Sequence, residues 1–353
     1  MTLRWRELVQ RLAYGMCVGS ALVAAPLCGS DVPQIPLYES GYLDDDPPAV
    51  IVEGEEFILN EDGSSTDDCV DCLDDIGCGP NWTMQGGAVF LRRLHANQYL
   101  LTDGTTPINL ADMNFRYQSG PMLSATRHSV LGSCWDLQLS YFGVNNFDAV
   151  ASSANVTNFA TVPPFVPGAP VSATTNYTSR IDSTEVNMRR SMNDWFTGIV
   201  GFRWVELRED LNTDFVNASH AINTNNHMYG LQVGGEALFL DRGAFTASLF
   251  GKVGIYENSA DQNTDMVNIP GAVASTFGAA SETAFIGDMG LFGHYLINEC
   301  WSIRGGYQVL ILDGVALASD QIFASNIING TATADVDNTA VYHGFFASIE
   351  KCW

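Results

Sequence analysis

The chain has 353 residues, a formal net charge of −24 and only two lysines, Lys252 and Lys351. Negative charge on that scale repels a phosphate backbone, so nucleic acid is excluded as a partner. Apolar residues make up 46%, too few for a bundle of membrane helices but enough for strands in which every second residue meets lipid.

Arg4, Arg6 and Arg11 precede the apolar run LAYGMCVGSALVAAPLC, and polar Gly29, Ser30 and Asp31 follow it. A basic start, a short apolar stretch and a polar boundary predict a secretory signal over residues 1–29, cut near Ala24–Ala25 or after Gly29. The run is shorter than the about 20 apolar residues a spanning helix needs. No later segment is apolar for long enough either. An exported chain of this kind is either soluble or a membrane barrel.

Residues 30–80 contain no Lys or Arg but carry Asp44, Asp45, Asp46, Glu53, Glu55, Glu56, Asp67, Asp68, Asp74 and Asp75. Such a block repels itself and buries little apolar surface, which predicts an acidic, largely disordered periplasmic segment. It holds Cys69, Cys72 and Cys78. The Cys69-x-x-Cys72 spacing suits zinc or a disulfide, and export favours the disulfide.

From residue 81 to 353 the pattern becomes that of strands, whose side chains alternate between two faces. Trp135, Leu137, Leu139 and Tyr141 oppose Asp136, Gln138 and Ser140. Tyr229, Leu231, Val233, Ala237 and Phe239 oppose Gln232 and Glu236. Ala247, Leu249 and Val253 oppose Lys252. Trp301, Ile303, Gly305, Tyr307, Val309 and Ile311 oppose Ser302, Arg304, Gly306 and Gln308. Ten strands are expected, roughly 82–94, 119–130, 134–144, 183–191, 195–208, 227–240, 244–256, 282–297, 299–312 and 340–353, with room for two more around 95–118.

Short turns at 131–133, 192–194, 241–243 and 297–299 alternate with long polar segments at about 145–182, 210–226, 257–281 and 313–339. This asymmetry predicts an all-β fold: an up-and-down antiparallel transmembrane β-barrel of 10–12 strands, with short periplasmic turns and long external loops. The last strand places Val341, Phe345, Ala347, Ile349 and Trp353 on one face. Phe345, Ile349 and Trp353 resemble the C-terminal signal by which the barrel-assembly machinery recognises its clients.

The stretches LQLSYFGVNNFDA, GIVGFRWVELREDLN, FGKVGIYEN, GGYQVLILDGVALASDQI and YHGFFASIEKCW resemble the β-barrel porin 7 family of planctomycete-type bacteria. The resemblance spans about 120–353. It implies an outer-membrane barrel that serves as a pore, and it carries over no catalytic or binding residues.

Parity makes Asp136, Arg203, Gln232, Glu236, Lys252, Asp288, Arg304 and Gln308 the candidates for the lumen. In a barrel this narrow, side chains largely fill the interior, so these groups either pair as a plug or line a path for small polar solutes or ions. Cys134, Cys300 and Cys352 each precede a tryptophan. Trp135, Trp301 and Trp353 are expected in an interfacial belt at the periplasmic rim. Two of the three cysteines would bridge there, or one would tether the N-terminal segment. Among His95, His128, His220, His227, His294 and His343 no pair has metal-ligand spacing. Nucleophile-elbow, phosphate-loop and HExxH motifs are absent from the sequence, so no enzyme, metal or cofactor is expected. The functional expectation is a porin or channel with outer-membrane lipid as its surroundings. The alternatives are a non-conducting scaffold, a loop-mediated surface binder, or a soluble secreted β-sandwich.

Overall fold

The computed structural model describes residues 81–94, 99–130, 133–161, 170–216, 218–268, 272–327 and 329–353. The expected signal sequence, the acidic segment with Cys69, Cys72 and Cys78, and His95 lie outside the described residues.

Strand β1 (Trp82–Arg93) is followed by two short strands, β2 (Leu100–Thr102) and β3 (Ile108–Asn109). Then come β4 (Gln118–Arg127), β5 (Asp136–Val156), β6 (Val171–Asn193), β7 (Phe196–Phe215), β8 (Ala218–Arg242), β9 (Phe245–Asn268), β10 (Ala272–Leu296) and β11 (Trp301–Val315). Two further short strands, β12 (Ser325–Asn326) and β13 (Thr331–Ala332), precede β14 (Asn338–Cys352).

The ten long strands form one closed antiparallel barrel in which each pairs with its neighbours in the chain, and β1 pairs with β14 to close the ring. At the seam, Trp82 and Trp353 exchange both backbone hydrogen bonds at 3.1 Å. Closure leaves no free sheet edge over the height that all ten strands share; above it, residues 143–156 of β5 pair only with β6 and residues 272–284 of β10 only with β9. The ten-stranded antiparallel barrel expected from the alternation is the fold that forms. The rim that carries Trp82 and Trp353 is called the lower rim here.

The lower-rim connections are tight. In the β8–β9 hairpin, Gly243 adopts φ +68°, a left-handed conformation that a Cβ would oppose. At the upper rim the structure corrects the expected loops. Residues 145–156, 171–182, 210–215, 218–226, 257–268 and 272–281 continue the strands, so β5–β10 run for 20 to 25 residues while β1, β4, β11 and β14 have only 10 to 15. The sequence pattern hid these extensions because their outward residues are polar. Asp210, Asn212, Asp214, Asn223, Asn225, Asp261 and Asn263 look like loop composition, yet each has a cross-strand partner.

The outer surface is sorted by height. Exposed large apolar residues lie on every barrel strand, among them Met84, Leu123, Leu139, Val186, Phe202, Leu231, Val253, Leu291, Ile303 and Phe345. On β7 the change from Trp204 to Glu206 sits opposite Tyr229 and His227 of β8, and on β9 the change from Ile255 to Glu257 sits opposite Phe285 and Thr283 of β10. On β7–β10 the continuous apolar belt ends near these residues, and above it Val150, Val267 and Phe277 are isolated exposed apolar side chains. Phe196 and Trp204 bracket the belt on β7, which corresponds to about 20 Å of height for strands tilted by about 40°.

Inside, the upper half of the barrel holds an apolar core. Val89, Leu91, Val205, Leu207, Leu310 and Leu312 of the wall cluster with Leu101, Ile108, Leu110, Phe115, Leu317 and Ile322 of the inserted segments 99–117 and 315–327. The entry of the second segment is set by Gly314, whose φ is +84°. A Cβ there would lie 2.9 Å from the Ala284 Cα, so glycine is required for the chain to turn inward.

Candidate functional site in the lumen

Alternation along each strand sends every second residue into the lumen, and the side chains found there are stacked in three levels. In the middle level, fully buried Arg203 reaches Glu185 at 3.4 Å and Asp288 at 3.2 Å. Lys252 Nζ donates to both oxygens of Glu185 at 2.8 Å and lies 3.4 Å from Asp288. Gln232 and Asn187 each donate to Glu185 Oε2 at 2.9 Å, and Tyr256 donates to Gln232 at 3.2 Å. Two cations and two carboxylates balance, and the amides satisfy the remaining acceptor capacity of Glu185. A buried ion pair persists only with such additional hydrogen bonds.

The level below is also balanced. Arg189 donates to Glu236 at 3.0 Å, and Arg304 approaches Glu236 at 3.9 Å and Glu350 at 3.7 Å. The Arg304 guanidinium stacks over the Phe292 ring at 3.4 Å. Gln85 and Ser348 add a hydrogen bond of 2.7 Å. A cavity of about 130 Å³ lies between these two levels, lined in part by Gln138, Ser140, Asn187, Glu236, Lys252 and Gln308. It has room for a few waters, each of which occupies about 30 Å³ in the liquid.

The upper level is the most thoroughly enclosed. Arg93 pairs with Glu209 at 2.7 Å and lies between the rings of Phe115 and Tyr177, 4.8 and 4.9 Å from their centroids. Tyr177 donates to Glu209 at 2.5 Å, and Ser179 donates to the other Glu209 oxygen at 3.2 Å. The same carboxylate accepts the N–H of Ala318 at 3.1 Å. Asn226 clamps Ala316 at two points, donating to its carbonyl at 2.8 Å and accepting its N–H at 2.7 Å, and Asn258 donates to the Gly314 carbonyl at 2.9 Å. Side-chain amides thus replace the missing strand partner of the inserted segment 315–324.

Of the eight lumen candidates, Arg203, Gln232, Lys252 and Asp288 meet in the middle level, and Glu236 and Arg304 meet in the lower one. Gln308 lines the cavity. Asp136 stands apart at the lower rim, where it accepts hydrogen bonds from His128 at 3.0 Å and from the Ser129 N–H at 3.1 Å. Sequence reasoning missed Glu185, Arg189, Glu350, Arg93 and Glu209. The parity of Ser183, Glu185, Asn187 and Arg189 against Val186 and Met188 carried a usable signal for the first two. Glu209 shares its face with Val205, Leu207 and Leu211, a pattern that reads as a lipid face.

Trp135, Trp301 and Trp353 lie at the lower rim; Lys351 Nζ is 5.2 and 5.7 Å from the rings of the latter two. Phe345, Ile349 and Trp353 point outward from β14 and are about half exposed. Away from these three levels, Asp103 ties the inserted segment 99–117 to the β5–β6 connection. It accepts from Thr157 Oγ1 and Asn158 Nδ2 and from both of their backbone N–H groups, at 2.5 to 2.9 Å. The Thr157 hydroxyl, with the other three donors, holds the Asp103 carboxyl well below the usual carboxylate range. Among the described residues no group of three His, Cys, Asp or Glu is arranged to hold a metal ion.

No protein-family model matches the chain, and no curated protein matches it. Solved structures do. The outer membrane protease OmpT from Escherichia coli is similar over 77% of this chain and 97% of its own, with 7% identity and a TM-score of 0.45. The toluene transporter TodX of P. putida is similar over 77% and 90%, with 9% identity and a TM-score of 0.33. The translocator domain of the autotransporter NalP from Neisseria meningitidis is similar over 81% and 93%, with 11% identity and a TM-score of 0.34. At these levels the functional reading stands on the residues of this chain alone.

Proposed function

We propose that the chain is an outer-membrane β-barrel whose lumen is closed at rest, a scaffold that projects a long β-walled rim beyond the membrane. The apolar belt around the barrel supports the membrane placement. A monomeric soluble protein rarely exposes a continuous apolar band, and in lipid a closed ladder leaves no backbone group unpaired. Phe345, Ile349 and Trp353 are the residues we assign to recognition by the barrel-assembly machinery.

The observation that carries the closed state is the filling of the lumen by the Arg203–Glu185–Lys252–Asp288 level beneath the segment 315–324. Small solutes or ions would have to displace charges that are already neutralised. Function then lies in the projecting rim, a surface for binding partners in the manner of functional loops on a rigid scaffold. The experiment is planar-bilayer conductance of the detergent-folded chain, with heat-modifiable gel mobility as the folding control. The closed reading expects a mobility shift and no conductance steps. Steady steps from the unaltered chain would overturn it in favour of an open porin. A second reading, a channel that opens when the plug moves, is favoured by the cavity between the middle and lower levels; it expects steps only after the segment 315–324 is loosened.

A further inference from the structure

Cys300 and Cys352 are backbone neighbours on adjacent segments at the lower rim. The β11–β14 register pairs Trp301 with Lys351 and Ser302 with Glu350, and one step further it brings Cys300 opposite Cys352. The Cys352 N–H donates to the Cys300 carbonyl at 3.0 Å. Directly opposed residues of an antiparallel pair have Cα atoms about 4.5–5.5 Å apart and side chains on one face. That separation falls within the about 4.4–6.8 Å that a disulfide spans.

The turn that presents Cys300 is held in place. Asn298 Oδ1 accepts the N–H groups of Cys300 and Trp301 at 3.0 and 2.9 Å. The Cys352 thiol already leans into this turn, donating to the Glu299 carbonyl at 3.3 Å. Cys300 is exposed and Cys352 is half-buried, so an oxidant reaches the first before the second. The remaining rim cysteine, Cys134, belongs to the β4–β5 turn. Strands β1 and β4 separate it from β14 in the ring. Three inter-strand steps of about 4.8 Å place it well beyond the about 7 Å limit for bridging.

We infer that Cys300 and Cys352 are a disulfide-forming pair that staples β14 to the β10–β11 turn. The step is a thiol–disulfide exchange with an exogenous disulfide. The Cys300 thiolate attacks one sulfur of that disulfide and expels the other as a thiolate. The Cys352 thiolate then attacks the Cys300 sulfur, forms the Sγ–Sγ bond and expels the second thiolate. The two protein thiols lose two protons and two electrons, and the exogenous disulfide becomes two thiols. The resulting covalent loop encloses β11, the inserted segment and β14, and a cross-link around a long loop restrains the unfolded chain most. The staple follows from register and holds whether or not the lumen conducts.

The test uses the full chain folded in detergent, fully reduced, freed of reductant and exposed to oxidised glutathione. Remaining thiols are then blocked with a maleimide, and the digest is read by mass spectrometry. The expected product is one linked peptide containing Cys300 and Cys352, two hydrogens lighter than the sum of its parts. Cys352→Ser is expected to trap glutathione on Cys300. The heat-modified gel band of the oxidised wild type is expected to appear at a lower temperature after reduction, whereas that of Cys352→Ser is not. Blocking of both cysteines by maleimide in the oxidised wild type would overturn the inference. So would their linkage to Cys134, Cys69, Cys72 or Cys78.

Discussion

Arg93 and Glu209 meet at 2.7 Å across the upper lumen, both sealed from solvent, although β1 and β7 are four strands apart around the ring. Glu209 also accepts the Ala318 N–H, so one carboxylate joins two walls of the barrel to the segment that fills it. The pair is a cross-brace, and the apolar core around it excludes the water that would weaken it.

Replacing Glu209 with Leu would leave Arg93 buried without an anion. The expected cost is about 3–5 kcal/mol, read as a lower urea midpoint of the detergent-folded barrel. The double change Arg93→Met with Glu209→Leu removes both charges, and most of the stability is expected to return. If the double variant were no more stable than Glu209→Leu, the cross-brace would not be the source of the loss.

Gly314→Ala is expected to loosen the plug. The left-handed conformation costs an alanine about 1–2 kcal/mol, and its Cβ would press on the Ala284 Cα at 2.9 Å. Protease should then cut the segment 315–327 faster in otherwise folded barrels. Gly287→Ala, whose Cβ meets nothing within 4 Å, serves as the control with an unchanged cleavage rate.

The belt predicts a height-dependent response to charge. Leu231→Arg, at a site 68% exposed within the belt, is expected to destabilise the barrel in bilayers by about 2–4 kcal/mol. Asn223→Arg, on the same strand above the boundary, is expected to change stability by no more than about 0.5 kcal/mol. Equal effects at the two positions would refute the membrane placement.

Asp103 couples the upper connections to pH. Its carboxyl is held well below the usual carboxylate range by Thr157 and Asn158, so the anion is favoured in the folded state. The contribution is fully present above the ordinary carboxylate pKa and is lost as pH falls through the depressed folded value. Hydrogen-exchange protection of the Thr157 and Asn158 amides should therefore decline progressively below about pH 4. In Asp103→Ala it should be low and independent of pH.

Strand number and orientation were legible because alternation is local. Trp135 to Tyr141 and Trp301 to Ile311 show a lipid-side face against a polar one without reference to any other strand. The extensions of β5–β10 were not legible, since an outward asparagine on a paired strand and one in a loop are the same letter. Nor were Arg93 and Glu209, because both lie among apolar residues of matching parity.

By itself, then, the sequence determined an all-β chain of ten alternating strands with short turns at one rim, since each of those features depends only on residues near one another. Tertiary structure alone decided which charges neutralise one another, because Glu185, Arg203, Lys252 and Asp288 lie on four strands and meet only when the ring closes. It also decided that segment 315–324 turns into the lumen. That depends on a left-handed Gly314 and on Asn226, Asn258 and Glu209, hydrogen-bond partners that other strands supply at one height.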